Sequence, residues 1–137
     1  MSTENEILNK LLKEYDIESE VEFNEFNLAE KIQNNSFILM KYNHKLIEEK
    51  SILEKLKDIL EKKVGERYHY YRFNFDEELT KSEIEKYYLP KDDELKKLKK
   101  LINEQKIRVD FFETATKAIE SQKWNMKNFI ESLKNGV

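Results

Sequence analysis

Apolar residues recur along this chain at intervals of three and four with few interruptions, so the pattern predicts helices, two of them long. Ile7, Leu8, Leu11 and Leu12 follow Thr3 and Glu6, a pair with capping-box spacing, and a short first helix is expected to reach about Tyr15. The polar stretch Asp16 to Glu20 ends it, and Ser19 with Glu22 offers a second capping box. Phe23, Phe26, Ala29 and Ile32 then open a segment with no Gly or Pro before Gly65. Within that long helix Leu39, Tyr42, Leu46, Leu53, Leu56 and Leu60 keep a heptad seam, with Glu49 as its one polar member. Gly65 is the expected helix end or break, because Gly tolerates positive φ and weakens helix interiors.

Beyond Gly65 the helical period is lost. Tyr68, Tyr70, Tyr71, Phe73 and Phe75 alternate with Arg67, His69 and Arg72, and this run is expected to be extended. Asp76, Glu77 and Glu78 follow, then Thr80 with Glu83 caps a short helix through Tyr87 and Tyr88, which Pro90 ends. Asp92, Asp93 and Glu94 suit the N-terminus of a last helix through its dipole. Leu95, Leu98, Ile102, Gln105, Val109, Phe112, Thr116, Ile119, Lys123, Met126, Ile130 and Leu133 fall on its a and d positions, and the helix is expected to run to Gly136. A helix of about 40 residues spans roughly 60 Å, more than one small domain needs for itself, so part of it is expected to meet another chain. Gln105, Thr116 and Lys123 interrupt the seam, as polar residues do where register and stoichiometry are specified.

Composition narrows the class without changing the pattern. Two Gly and one Pro in 137 residues leave little turn chemistry for a sheet protein. The expected fold is all-α: long helices joined by a short aromatic-rich segment, with residues 1–90 as an N-terminal helical region and residues 91–137 as the assembly helix, in one compact unit overall. The chain has no Cys, which excludes disulfides and thiolate zinc sites, and its two His, His44 and His69, are too far apart in sequence to suggest a metal site. The acidic triplets at 76–78 and 92–94 lack a companion Gly-rich loop, catalytic Lys or HExxH motif, so neither an enzyme nor a cofactor is expected. No apolar run is long enough for a membrane span.

Charge adds more. The net charge of −3 is the sum of alternating blocks, −6 over residues 1–40, +3 over 41–72, −5 over 73–94 and +5 over 95–137. Such alternation suits chains that pair across subunits, or that divide acidic and basic faces between partners; it equally suits solvated helix surfaces. The acidic stretch with Glu18, Glu20, Glu22 and Glu25 is either a docking surface for a basic partner or plain solvent-facing helix.

The candidate binding segment comprises Lys62, Lys63, Arg67, His69, Tyr70, Tyr71 and Arg72. Cations follow a phosphate backbone and aromatic faces stack on unpaired bases, so their interleaving suits single-stranded nucleic acid. The competing reading has the tyrosines packing on the helices and the cations solvated. Lys96, Lys97, Lys99 and Lys100 form a second basic cluster with the same two readings. Trp124 beside the last seam is expected to anchor an interface.

In order and spacing these features resemble the UvsY family of recombination mediators from T-even-type phages. Arg67 with Tyr70 and Tyr71 matches the family's Arg and tyrosine pair, and the stretch from Ala118 to Ile130 resembles its C-terminal pattern. The family commonly carries a second basic residue two positions before that Arg, where this chain has Gly65, with Lys62 and Lys63 nearby. The resemblance implies a protein that binds single-stranded DNA and helps a RecA-like recombinase replace the single-strand binding protein, in the cytoplasm of the infected host cell. It also implies a hexameric or heptameric homo-oligomeric ring closed through the C-terminal helix, without nucleotide hydrolysis. The expected assembly residues are Ile102, Val109, Phe112, Ile119, Trp124, Met126, Ile130 and Leu133. The alternative is a helical coiled-coil scaffold or adaptor that binds no nucleic acid.

Overall fold

The computed structural model describes residues 3–135, and Gly136, the expected end of the last helix, lies outside them. Five α-helices follow in order: α1 (Thr3–Glu14), α2 (Ile17–Val21), α3 (Leu28–His69), α4 (Lys81–Glu83) and α5 (Asp93–Lys134). Wide π-helical turns occupy Tyr70–Asn74 and Ile84–Tyr88, and a 3₁₀ turn occupies Leu89–Lys91. The all-α expectation holds, with no strand among the described residues.

The local rules explain most boundaries. The Asp16 carboxylate, rather than Ser19, caps α2 by accepting the Ser19 N–H at 3.1 Å, and Glu22 ends that helix instead of supporting a new one. The long helix starts only after Asn24 and Asn27, whose side chains exchange bonds with each other's backbone N–H groups and close a tight turn. Thr80 and Glu83 form the full capping box of α4. Gly65 does not end α3. The helix passes through it for another turn, and the aromatic run that follows is helical and then π-helical, becoming extended only at Phe75.

The chain divides into two units, one of Met1–Glu49 with Ile107–Val137 and one of Lys50–Lys106. In the first, Leu11 of α1, Tyr42 of α3, and Phe112, Ala115 and Ile119 of α5 form a buried cluster, with Tyr15 packed edge-on against both Tyr42 and Phe112. Two buried polar contacts set the register of α3 against α5 there. The Asn35 Nδ2 donates to the Ile119 carbonyl and to Gln122 Oε1, and Gln122 Nε2 donates to the Glu20 carbonyl. Further along α3, the buried Glu49 accepts bonds from Arg108 Nε and Nη2, the shortest at 2.7 Å. The polar member of the α3 seam is therefore an ion-pair site, which is how a buried charge is tolerated.

In the second unit, Tyr71, Leu79 and Ile84 are buried, with Tyr68, Phe75, Tyr88 and Leu89 packed around them. The tyrosines and phenylalanines of the connecting segment thus build a small core of their own, with ring centroids 5.4 Å apart between Tyr71, Phe75 and Tyr88, Phe75 edge-on to both tyrosines and the two tyrosines tilted to each other.

Candidate nucleic-acid interface

Helical geometry sorts the seven candidate residues onto different faces. Lys63, Arg67 and Tyr70 follow one another at i, i+4 and i+7, so they share a face of the last turns of α3. Lys62 and His69 lie off that face and are exposed, His69 with its ring 4.9 Å from Phe73. The π turn inserts an extra residue, and Tyr71 consequently points inward and is buried.

Arg67 is the centre of the arrangement. Its Nε donates to Asp92 Oδ2 at 2.8 Å, and its guanidinium lies 4.4 Å from the Tyr70 ring centroid and 5.3 Å from that of Tyr71. Asp92 takes its Nε, Tyr71 and Glu94 also lie against the guanidinium, and the side chain stays partly exposed. The Tyr71 hydroxyl donates to the same Asp92 oxygen at 2.6 Å, while Asp92 Oδ1 accepts the Leu95 N–H and caps α5. Asp92 is almost wholly buried, yet three donors meet its two oxygens.

The electrostatics follow from these contacts. Burial acts to raise the Asp92 carboxyl, but the bonds from Tyr71, Arg67 and the Leu95 N–H outweigh it and hold it below its ordinary value of 3.8. Burial and the bond to Asp92 raise the Tyr71 phenol. The bond to Asp92 is the main cause that keeps Arg67 more firmly protonated than usual. A second carboxylate, Glu94, sits 3.6 Å from Arg67 Nε and 3.6 Å from Lys63 Nζ, and it is half exposed.

The remaining candidates are divided. Lys63 pairs with Glu66 as well as Glu94, and Arg72 donates Nη1 to the Leu79 carbonyl at 2.9 Å, closing the acidic loop before α4. Lys62 makes no ion pair among the described residues. The structure therefore joins Arg67 and Tyr71 on Asp92, sets Tyr70 against the Arg67 guanidinium and Lys63 beside the shared Glu94, and leaves Lys62, His69 and Arg72 outside that cluster. Asp92 was read from sequence only as part of a helix start. Its spacing to Leu95 signals a cap, but nothing in the sequence signals a partner 25 residues earlier.

Within the aromatic run Tyr71 packs, while Tyr70 keeps 36% of its surface exposed beside a charged guanidinium. Comparison with known proteins decides the class. The profile of the family described as "Recombination, repair and ssDNA binding protein UvsY" matches residues 15–137. The chain belongs to the UvsY family. Its fold is similar to two crystal structures of the bacteriophage T4 recombination mediator protein UvsY, in different lattice types. One has TM-score 0.80 at 19% identity, covering 95% of this chain and 98% of that one. The other has TM-score 0.80 at 21% identity, covering 94% and 96%. No curated protein sequence matches the chain.

The assembly residues named from sequence also acquire places. Ile102, Val109, Phe112, Ile119 and Met126 are buried within the chain itself, and Ile130 is half-buried. Trp124 and Leu133 remain exposed. The heptad seam of α5 is therefore filled from inside one chain over most of its length, because a repeat of apolar positions requires a partner surface without saying whose it is.

Proposed function

We propose that this UvsY-family chain is a recombination mediator: as a homo-oligomer it binds single-stranded DNA and promotes loading of a RecA-like recombinase in place of single-strand binding protein, inside the infected host cell. It needs no cofactor and carries out no reaction of its own. The observation that carries the DNA contact is the Arg67–Tyr70 pair. Arg67 offers Nη donors to a phosphate oxygen while Tyr70 offers a ring face to an unstacked base, a combination that suits single strands irrespective of sequence. Lys62, exposed about one turn before Gly65, supplies a further cation for the backbone.

Assembly is supported by apolar side chains left exposed on the helices. Since the α5 seam is filled internally, the candidate contact surface lies on exposed apolar side chains. Phe37, Met40 and Ile47 stand on the side of α3 away from the buried Tyr42, with 73%, 68% and 66% exposure. An open groove of about 490 Å³ is lined by Ile32, Trp124, Met126 and Ile130, with Lys123 and Lys127 at its rim. Joining several weak sites along one strand would offset the unfavourable net charge of each subunit by raising effective concentration.

The test is recombinase filament formation on a single strand already coated with single-strand binding protein. The chain should shorten the delay before filaments appear, and Arg67→Ala should abolish that effect. An unchanged delay with wild-type chain would reject the mediator function.

A further inference from the structure

Two carboxylates lie against the same guanidinium, and their environments differ. Asp92 is buried and bonded on both oxygens, to Arg67, Tyr71 and the Leu95 N–H. Glu94 is half exposed and lies 3.6 Å from Arg67 Nε, beyond hydrogen-bond distance. We infer that Asp92 is a positioning residue for single-strand binding: by engaging Nε it fixes the guanidinium over the Tyr70 ring and turns the Nη edge toward the phosphate. The inference rests on the single-strand reading proposed above.

The physical argument concerns which part of Arg67 remains for a ligand. A guanidinium has five N–H donors in a planar fork, and a carboxylate at Nε occupies one of them and sets the plane. The long side chain would otherwise sample many rotamers, and each would have to be frozen when a strand binds. Here the plane is fixed before binding, with the ring of Tyr70 at 4.4 Å on its face. Tyr71 helps by holding the same carboxylate oxygen at 2.6 Å, and α5 holds the other through its first turn. Glu94 contributes none of this. It is a half-exposed surface charge of the wrong sign beside a phosphate site, and a bound phosphate would displace it.

Simple electrostatics and positioning therefore give opposite signs for Asp92. Removal of a negative charge beside a phosphate site tightens binding if charge alone matters. Removal of the brace weakens it.

The experiment measures binding of a fluorescent oligothymidylate to the full chain by anisotropy, over a range of salt concentrations, for wild type, Asp92→Asn and Glu94→Gln. Both substitutions remove one negative charge, and Asn caps a helix as well as Asp, so α5 keeps its start. Asp92→Asn is expected to weaken binding about tenfold and to lower the salt slope by about 0.7, the value of one lost phosphate contact on a single strand. Glu94→Gln is expected to bind as tightly as wild type or more tightly. In an Arg67→Ala background, Asp92→Asn should weaken binding no further, a result that a merely structural role would not produce. Where the Arg67→Ala chain proves unstable, Arg67→Gln serves as the background, with helix content checked by circular dichroism. Asp92→Asn binding as well as wild type, an equal loss on Glu94→Gln, or an undiminished loss in the Arg67 background would each overturn the positioning role. Failure of the wild-type chain to bind would instead reject the single-strand reading, and this inference with it.

Discussion

Three donors converge on the Asp92 carboxylate, and its protonation must therefore loosen the contact between the end of α3 and the start of α5. Because its folded pKa is depressed below 3.8, its contribution is present at neutral pH and is lost as pH falls below that value, through the lower folded one. Tyr42 acts at the other limit. Burial, assisted by nearby Glu20, raises its phenol from 10.0 to about 12, so its contribution is complete below pH 10.0 and is lost as pH rises toward about 12. Urea midpoints measured across pH should fall at both ends, and Asp92→Asn should flatten the acid limb. Gly65 gives a prediction of opposite sign. It is exposed in a helix interior, with nothing within 4 Å of where a Cβ would stand, so Gly65→Ala should stabilise the chain by about 0.5–1 kcal/mol in thermal or urea unfolding. Gly65→Lys should keep that gain and also tighten binding to single strands.

At the scale of elements, local chemistry made some features legible and concealed others. The Thr80–Glu83 box and the acidic start of α5 are visible because their signals lie within four residues of the boundary they mark. The end of α3 was not visible at Gly65, because the helix penalty of one Gly is small beside the packing of the turns around it. The aromatic run looked extended for a related reason: a π turn adds a residue per turn, so Tyr70 to Asn74 breaks the 3.6-residue period while staying helical. The Arg67–Tyr70–Tyr71 grouping was legible through the family resemblance, whereas its buried partner Asp92 was not. The seams of α3 and α5 were legible as seams, but not as intrachain ones until Glu49 was seen to meet Arg108 and Asn35 to meet Gln122. That ion pair carries its own test. Arg108→Met leaves Glu49 buried without its main counter-ion and should cost roughly 3 kcal/mol, whereas the Glu49→Leu, Arg108→Met double variant should recover most of it. A double-mutant cycle in urea checks both values.

At the scale of the whole molecule, apolar surface left outside the core points to association. Polar substitutions at Phe112, Ile119 and Met126 would not isolate a monomer, because these side chains are buried and the changes would unfold the chain. Serine at Phe37, Met40 and Trp124 should instead lower the native mass while leaving the helical signal and the thermal midpoint nearly unchanged. Mass measured against concentration checks this, and a variant that keeps the wild-type mass would move the contact elsewhere. If assembly multiplies weak sites, the same triple variant should also lose affinity for long single strands more than for short ones.

The most direct measurement is the affinity of the chain for one oligonucleotide, presented as a single strand and as a duplex, across a range of salt concentrations. The account predicts preference for the single strand, steep weakening with salt, and loss of that preference in both Arg67→Ala and Tyr70→Ala with the native mass unchanged. Equal binding of strand and duplex, or full binding by both variants, would contradict it.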